Sequence, residues 1–351
     1  MSRVRCLRFS AVAAARTRLA AVFLCPACAA LVFMGGGCDR PLSLAIGPAG
    51  DITVFSDLPA ESPELATLVE GLEREVSFIG KPELTFNVEL AGRDGFDLRR
   101  HWRNLVFVGS LDEGSWVSEM IAGLLSEENM SDLRRGKQEI FFIKDRWAIG
   151  QMIAIVSSAE GDELAAAVEG NIGVLYEMMD RAAVENTRRI LLRKDVKRDA
   201  ARYLLSEYGW SLTLPEGFEG TEDSDHGVAF FKTEEPSRII LVHWRDEFKE
   251  DLTPETCLAI RGEIAWNYYD EDRIDRELTT VSRSEFADRD AVKLDGIWQN
   301  DKHVNGGPFR SYCFAEGGRF YLIDMVLFAP GDDKLPYLRE LEAIAMTFST
   351  E

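Results

Sequence analysis

Apolar positions in the first half of the chain switch between two periodicities, which predicts strands interleaved with helices. Residues 51–55 have the pattern of a short strand. Ser62 and Pro63 then supply an N-cap and a first-turn proline for a helix whose apolar spacing continues through Val76 to Ile79. Further elements are predicted as strands at 85–90, 104–109, 139–144 and 147–157, a helix at 115–125 and a long helix at 162–191. This order predicts an α/β sandwich, with one sheet covered by helices.

The second half of the chain has longer strands and fewer helices. Trp210, Leu212 and Leu214 alternate with polar residues, which predicts a strand that Pro215 ends. Further elements are predicted as strands at 228–232, 238–245, 291–300, 309–315 and 319–329, and helices at 253–266 and 334–348. This pattern predicts an α+β module, an antiparallel sheet flanked by helices. We therefore expect an N-terminal α/β module at 51–191, a connecting helix at 192–209 and a C-terminal α+β module at 210–351.

The first 38 residues follow the order of a bacterial lipoprotein signal. Residues 1–18 contain five arginines and no acidic residue. An apolar run follows at 19–34, and three glycines then precede Cys38. Small residues before a cysteine are where such signals are cut, although Gly35 stands where a leucine is usual. We expect residues 1–37 to be a signal peptide, Cys38 to carry acyl chains such as palmitate, and residues 38–50 to be a tether. A retained spanning helix and a cleaved signal without lipidation are the alternatives.

Charge restricts the partners of the mature chain. The formal net charge is -20, and removal of the five signal-peptide arginines takes it to -25. Such acidity excludes nucleic-acid binding, because like charge repels the phosphate backbone, and predicts that the folded part stays off an anionic membrane surface. A hydrophobic content of 46% predicts an ordinary globular body. Cys257 and Cys313 either pair in the oxidising envelope or stay as buried thiols.

A set of short motifs along the chain resembles the family of bacterial lipoproteins called domain of unknown function 4837. The motifs are Lys144-Asp145-x-Trp147-Ala148-x-x-Gln151, Arg261, Gly296-x-Trp298, Asn305-Gly306-Gly307-Pro308-Phe309 and Ala329-Pro330 followed by Lys334 and Leu341-Glu342-Ala343-Ile344. The resemblance covers nearly the whole mature chain, with one departure at Gly150, where that family implies proline. It implies an exported, lipid-anchored protein with no assigned activity. The second module is also similar to the PsbP-like fold, whose members mostly act as binding or assembly subunits.

The candidate ligand-binding residues are Arg261, Trp298, Asn305, Gly306, Gly307 and Phe309. Glycines at 306 and 307 permit positive φ and close backbone approach, either for a ligand or for a tight connection between two strands. We expect Gly306 to take the positive φ, because Pro308 biases Gly307 toward extended backbone. This corner should bring Trp298 near Phe309. Arg261 is expected either to pair with an acidic neighbour or to bind an anion.

Motif searching predicts no catalytic residue, metal ligand or cofactor. Three functions stay open: a non-catalytic envelope protein that binds another protein or a small ligand, a metal-assisted hydrolase, and a carrier of a hydrophobic molecule. The hydrolase would need Asp223, Asp225 and His226 to converge in a pocket. The carrier would need an apolar cavity between sheet and helices.

Overall fold

Two β-sheets organise the chain in the computed structural model, which describes residues 5–7, 41–78, 81–112, 114–193 and 195–350. The strands are β1 (Arg5–Leu7), β2 (Asp51–Phe55), β3 (Glu75–Ser77), β4 (Pro82–Leu84), β5 (Asn87–Ala91), β6 (Asn104–Ser110), β7 (Ile140–Lys144), β8 (Met152–Ser158), β9 (Glu219–Asp223), β10 (Val228–Thr233), β11 (Ser237–Arg245), β12 (Arg273–Phe286), β13 (Arg289–Asn300), β14 (Asn305–Glu316) and β15 (Arg319–Phe328). The helices are α1 (Pro63–Leu72), α2 (Phe96–Arg99), α3 (Trp116–Leu124), α4 (Glu127–Arg134), α5 (Leu164–Leu191), α6 (Arg198–Tyr208), α7 (Pro254–Tyr268) and α8 (Leu335–Ala345).

The first sheet has the strand order β5-β2-β6-β8-β7. Its first four strands are parallel, and β7 runs antiparallel to β8. Every residue of β6 and β8 is buried, as continuous apolar runs require when both faces of a sheet are covered. α1 and α5 pack on one face, and α3 and α4 pack on the other. The predicted α/β sandwich is confirmed.

The second sheet is antiparallel throughout, with the strand order β1-β9-β10-β11-β15-β14-β13-β12. α7 packs on one face of this sheet. The segment 210–218, with residues of α6 and α8, packs on the opposite face. The predicted α+β class, an antiparallel sheet flanked by helices, is also confirmed.

Two predicted elements are wrong in detail. The first helix ends at Leu72, because Glu73 leaves helical backbone at ψ 52°, and Val76 lies in β3 instead. The segment 210–214 is not a strand, although Trp210, Leu212 and Leu214 are all buried. Its backbone makes a single bridge, from Ser211 to Ser349, because the segment crosses the face of the sheet instead of joining its edge.

The strand predicted at 147–157 begins only at Met152, because the preceding loop turns sharply at Gly150. Gly150 has φ 86°, and a Cβ there would lie 2.8 Å from Asn186 Oδ1. Proline fixes φ near −65°, so the proline that the family resemblance implies cannot occupy this backbone. The departure at position 150 therefore has a conformational reason.

The two sheets are joined through α8, which packs against α5. The α8 N-terminus has no side-chain cap of its own. Its amides at Lys334 and Leu335 donate instead to the Glu83 carboxylate, at 2.7 and 3.0 Å. Arg339 adds a hydrogen bond of 2.7 Å to the carbonyl of Thr85. The C-terminal helix is therefore completed by residues from the other half of the chain.

Cys38 and the apolar run at 19–34 lie outside the described residues. β1, which falls in the predicted signal peptide, pairs with β9 at the edge of the second sheet. Within the described ranges, no helix is long and apolar enough to cross a membrane.

Candidate functional site

A groove opens at one end of the second sheet, beside the last turn of α7, where the helix no longer covers the strands. We call it the strand-end groove, and its volume is about 400 Å³. Its lining comes from β10, β11, β13, β14 and β15 and from the segment that follows α7. Five aromatic residues contribute to it: Phe230, Tyr268, Tyr269, Trp298 and Phe328. The walls of the strand-end groove are therefore largely aromatic, and they are formed by the ends of strands.

Acidic groups dominate the charge around the groove. Asp272 is 7% exposed, and its Oδ1 accepts a hydrogen bond of 2.6 Å from Asn300 Nδ2. Burial raises the pKa of Asp272 from its ordinary value, against the opposing effect of that hydrogen bond. Asp270 contacts His303 at 2.7 Å and Lys302 at 3.2 Å on the rim. The C-terminus of α7 adds partial negative charge at the same place.

One buried polar atom at the groove, Asn305 Oδ1, lacks a hydrogen-bond partner within the part of the chain that the structure describes. The Tyr269 hydroxyl instead faces the Asp324 carboxylate beneath the groove. Burial, and to a lesser degree the charge of Asp324, raises the pKa of Tyr269 well above its ordinary value. An unsatisfied buried polar atom is costly, so the position of Asn305 favours a polar ligand group or ordered water.

Beneath the groove lies a buried ion pair between α7 and β15. Arg261 and Asp324 are both fully buried, with Nε–Oδ1 and Nη2–Oδ2 distances of 3.4 Å. The guanidinium carbon lies 3.8 Å from the centre of the Phe309 ring, and Ser311 donates to Asp324 at 2.5 Å. Arg261 is thus placed against an acidic neighbour in the core, out of reach of a ligand in the groove.

Gly307 permits a close contact between three neighbouring strands. A Cβ at this position would lie 2.1 Å from the Leu327 carbonyl oxygen and 3.0 Å from Trp298 Nε1. Trp298 Nε1 donates to that same carbonyl at 3.2 Å. The absence of a side chain at 307 therefore lets the indole cross to β15 and form the wall of the groove.

The expected conformation of Gly306 differs from the observed one. Gly306 lies inside β14, paired with Gln299, and the positive φ at this turn belongs to Val304, at 51°. The Gly-Gly-Pro-Phe element is thus strand and not loop. Trp298 and Phe309 do share a core cluster, since Phe309 pairs with Gly296, whose missing side chain makes room for the Phe309 ring.

The structure therefore separates the candidate residues into three groups. Trp298 and Asn305 line the groove, Arg261 and Phe309 support it from below, and Gly306 and Gly307 are strand positions beside it. Sequence reasoning missed Asp272 and Asn300. The signal for Asp272 was the run Tyr268-Tyr269-Asp270-Glu271-Asp272. It places aromatic rings and carboxylates together directly after a helix.

The acidic loop proposed for a hydrolase forms a small hydrogen-bonded cluster. Asp223 contacts His226 Nδ1 at 2.9 Å and accepts from the Tyr268 hydroxyl at 3.0 Å. Burial opposes ionisation, but these hydrogen bonds outweigh it and lower the pKa of Asp223. Among the described residues, no group of three His, Cys, Asp or Glu side chains is placed to hold a metal ion.

Cys257 and Cys313 are free, buried thiols on α7 and β14. They are neighbours, because a hydrogen bond from the Cys313 thiol lowers the pKa of Cys257. Burial raises the pKa of Cys313 well above its ordinary value. In this structure both cysteines pack as small apolar side chains in the core beneath α7.

A second cavity of about 520 Å³ lies between the two halves of the chain. Four of its charged groups make contacts across the boundary: Lys81 pairs with Asp333 at 2.5 Å, and Arg339 and Glu83 make the contacts described above. These groups hold the two halves together. The strand-end groove is therefore the better candidate for a ligand site.

Comparison with known families places the groove in a defined domain. Residues 197–347 match the family described as Domain of unknown function (DUF4837). This region belongs to that family. The DUF4837 match contains the groove, all of the second sheet from β9 to β15, and α8. It is narrower than the resemblance read from sequence, since the motif at 144–151 lies outside it.

The chain is similar to the solution structure of cyanobacterial PsbP (CyanoP) from Synechocystis sp. PCC 6803, at 13% identity over 40% of this chain and 86% of that chain, with a TM-score of 0.31. It is also similar to a crystal structure from Bacteroides thetaiotaomicron VPI-5482, at 13% identity over 40% of this chain and 44% of that chain, with a TM-score of 0.25. No curated protein matches the chain.

Proposed function

We propose that the protein is a lipid-anchored envelope protein that acts as a non-catalytic binding or assembly factor. In this proposal the strand-end groove of the DUF4837 domain holds a cationic side chain, lysine or arginine, of a partner protein. The observation that supports this proposal is that aromatic side chains and the buried Asp272 carboxylate line the same groove. Aromatic faces and a carboxylate are the groups that recognise ammonium and guanidinium ions.

The charge balance at the groove supports a cationic ligand over an anionic one. Glu234, Asp270 and Asp272 line it, against Lys232 as the one full positive charge in the lining. Lys232 is itself paired with Glu234 at 2.5 Å. Asn305 Oδ1 is free to accept a hydrogen bond from a polar head group or from the peptide that carries it.

Calorimetric titration of the full-length, detergent-solubilised protein with blocked tripeptides tests the proposal. The probes are acetyl-Gly-Lys-Gly-amide, its arginine counterpart and the uncharged norleucine counterpart. We expect the two cationic peptides to bind and the norleucine peptide to bind about tenfold more weakly. A tenfold difference in affinity corresponds to ~1.4 kcal/mol. As the pH is lowered, binding should weaken at pH values that are still above the usual carboxyl range. The reason is that the pKa of Asp272 is raised, and its protonation removes the negative charge.

Asp272→Asn keeps the size of the side chain and should lose the preference for the cationic peptides. Glu255→Gln, an exposed residue in the first turn of α7, is the matched control and should leave that preference unchanged. Equal binding of all three peptides would instead support a carrier of apolar molecules. No binding of any peptide would overturn the groove as a ligand site.

A further inference from the structure

The segment expected to be a free tether is fixed to the surface of the N-terminal module. Ser43 accepts a hydrogen bond from the Ile149 amide at 2.8 Å, and the Ala45 amide donates back to Ile149 at 2.9 Å. The Ile46 amide donates to the carbonyl of His101 at 3.0 Å. From Ser43 onward this segment is therefore part of the module.

This segment turns apolar side chains toward solvent. Leu42, Leu44 and Ile46 are 43, 42 and 54% exposed, while Ala45 between them is 2% exposed. In an extended segment alternate side chains share a side, so the three large residues point outward together. Three exposed aliphatic side chains on the same side of a short segment are an unusual feature of a water-facing surface.

The turn between β7 and β8, which pairs with this apolar strip through Ile149, carries two basic side chains. Gln151 fixes the neighbouring loop in place, because its Nε2 donates to the carbonyls of Arg100 and Trp102 at 2.7 Å and its Oε1 accepts from the Trp147 amide at 3.0 Å. Lys144 and Arg146 on that loop are exposed, and neither has an acidic partner within 4 Å in the described ranges. We call Leu42, Leu44, Ile46, Lys144 and Arg146 the tether face.

We infer that the tether face lies on the membrane, with its leucines and isoleucine in the interface and Lys144 and Arg146 on anionic head groups. The inference rests on the lipid anchor of the proposed function. Ser43 follows Cys38 by five positions along the chain, so an extended chain spans at most about 18 Å between them. The anchor therefore keeps this particular face close to the bilayer.

The exposed segment Lys144-Asp145-Arg146 carries two positive charges and one negative charge, so its net charge is opposite in sign to that of the whole chain. A net charge of -20 predicts repulsion from an anionic surface. Screening at physiological salt limits that repulsion to about 8 Å, so the charges nearest the lipid decide the orientation. With Lys144 and Arg146 facing the head groups, the acidic remainder of the molecule is directed away from the membrane.

Site-specific labelling of the lipidated, full-length protein in vesicles tests this orientation. Ile46→Cys and, as control, Leu278→Cys, 57% exposed in β12, each receive a bimane label, while Cys257 and Cys313 are buried. In vesicles of phosphatidylethanolamine and phosphatidylglycerol, we expect a spin-labelled lipid to quench the Ile46 label several times more than the Leu278 label. Iodide in the water should show the reverse order.

The charge contribution is tested with the double variant Lys144→Gln/Arg146→Gln, against Arg202→Gln, an exposed arginine on α6. The double variant should lose most of the lipid quenching at Ile46, and the control should keep it. Equal quenching of both labels in protein that still floats with the vesicles would overturn the orientation and leave the anchor intact. Protein that does not float would overturn the anchor and the orientation together. Shielding of Ile46 without vesicles, rising with protein concentration, would assign the face to a second copy of the chain instead.

Discussion

A single backbone oxygen decides which glycine of the Gly-Gly-Pro-Phe element is required. The Leu327 carbonyl occupies the place where a Cβ at position 307 would begin, and it also accepts the indole N–H of Trp298. The sequence pattern singled out Gly306, whereas the close contact in the structure is at Gly307. The requirement comes from β15, which is distant along the chain.

Gly307→Ala should therefore destabilise the protein by about 3 kcal/mol, because backbone of β14 or β15 must shift and the Trp298 hydrogen bond is lost. Urea unfolding followed by tryptophan fluorescence measures this loss. Gly262→Ala is the control: it lies in α7, nothing lies within 4 Å of its added Cβ, and it should stabilise by up to ~1 kcal/mol. Equal stability of the two variants would contradict the close contact at 307.

His243 is held neutral inside the second sheet. It contacts the Gly227 carbonyl through Nδ1 at 2.9 Å, and Arg245 Nε donates to its Nε2 at 2.9 Å. Burial, with a smaller effect of Arg245, lowers the pKa of His243 from 6.5 to about 4. Between those values the unfolded chain binds a proton here and the folded chain does not.

The free energy of unfolding should consequently fall as the pH falls from about 6.5 to about 4, by up to about 3 kcal/mol from this residue. Below about pH 4 this contribution stops changing, because both states are then protonated. His243→Gln should flatten the pH dependence of urea unfolding in that window. His303→Gln, on the exposed rim of the groove, should leave the dependence on pH in place.

At the scale of elements, helix ends and buried strands could be predicted from local pattern. Ser62 with Pro63, and Thr253 with Pro254, cap and open helices as expected, and β6 was readable as a buried run. β12 was missed because most of its side chains are exposed, so it has no apolar alternation to detect. The cap of α8 could not be predicted from the local sequence either, since it comes from Glu83, about 250 residues earlier in the chain.

Glu83→Ala should cost about 1–2 kcal/mol, the usual value of a helix N-cap with a favourable charge at the helix N-terminus. The loss should be measured by urea unfolding of the full chain, together with amide exchange in the first turn of α8. Glu75→Ala, an exposed change on the same hairpin, serves as the control. Unchanged exchange at Lys334 and Leu335 in the Glu83 variant would show that the carboxylate does not cap the helix.

At the scale of the whole molecule, the two sheets are held together by a small number of directional contacts. Arg339 is 7% exposed, donates to Thr85, lies 3.5 Å from Asp180 and places its guanidinium 5.0 Å from the Phe86 ring centre. The apolar positions Leu338, Leu341, Ile344 and Ala345 share one face of α8, which indicates that this face packs against another element. They could not identify the partner, because many helices share that pattern.

Arg339→Ala should uncouple the two halves, because it removes the contacts to Thr85, Asp180 and Phe86 at once. Differential scanning calorimetry should then show two transitions in place of one. Arg202→Ala, whose side chain is 77% exposed, is the control and should keep the wild-type profile. A single transition in the Arg339 variant would mean that packing of α8 on α5 suffices for coupling.

The bridge between Ser211 and Ser349 brings the two ends of the C-terminal module, at 210–351, together. Hydrogen bonds of 2.7 and 3.1 Å join the two serine backbones. A unit whose ends meet can be inserted into a host loop, or recut at a new pair of termini, without strain on its sheet. The Glu83 carboxylate that caps its last helix lies outside such a unit. A host that supplies no substitute for Glu83 would lose the stabilisation of about 1–2 kcal/mol that this cap provides.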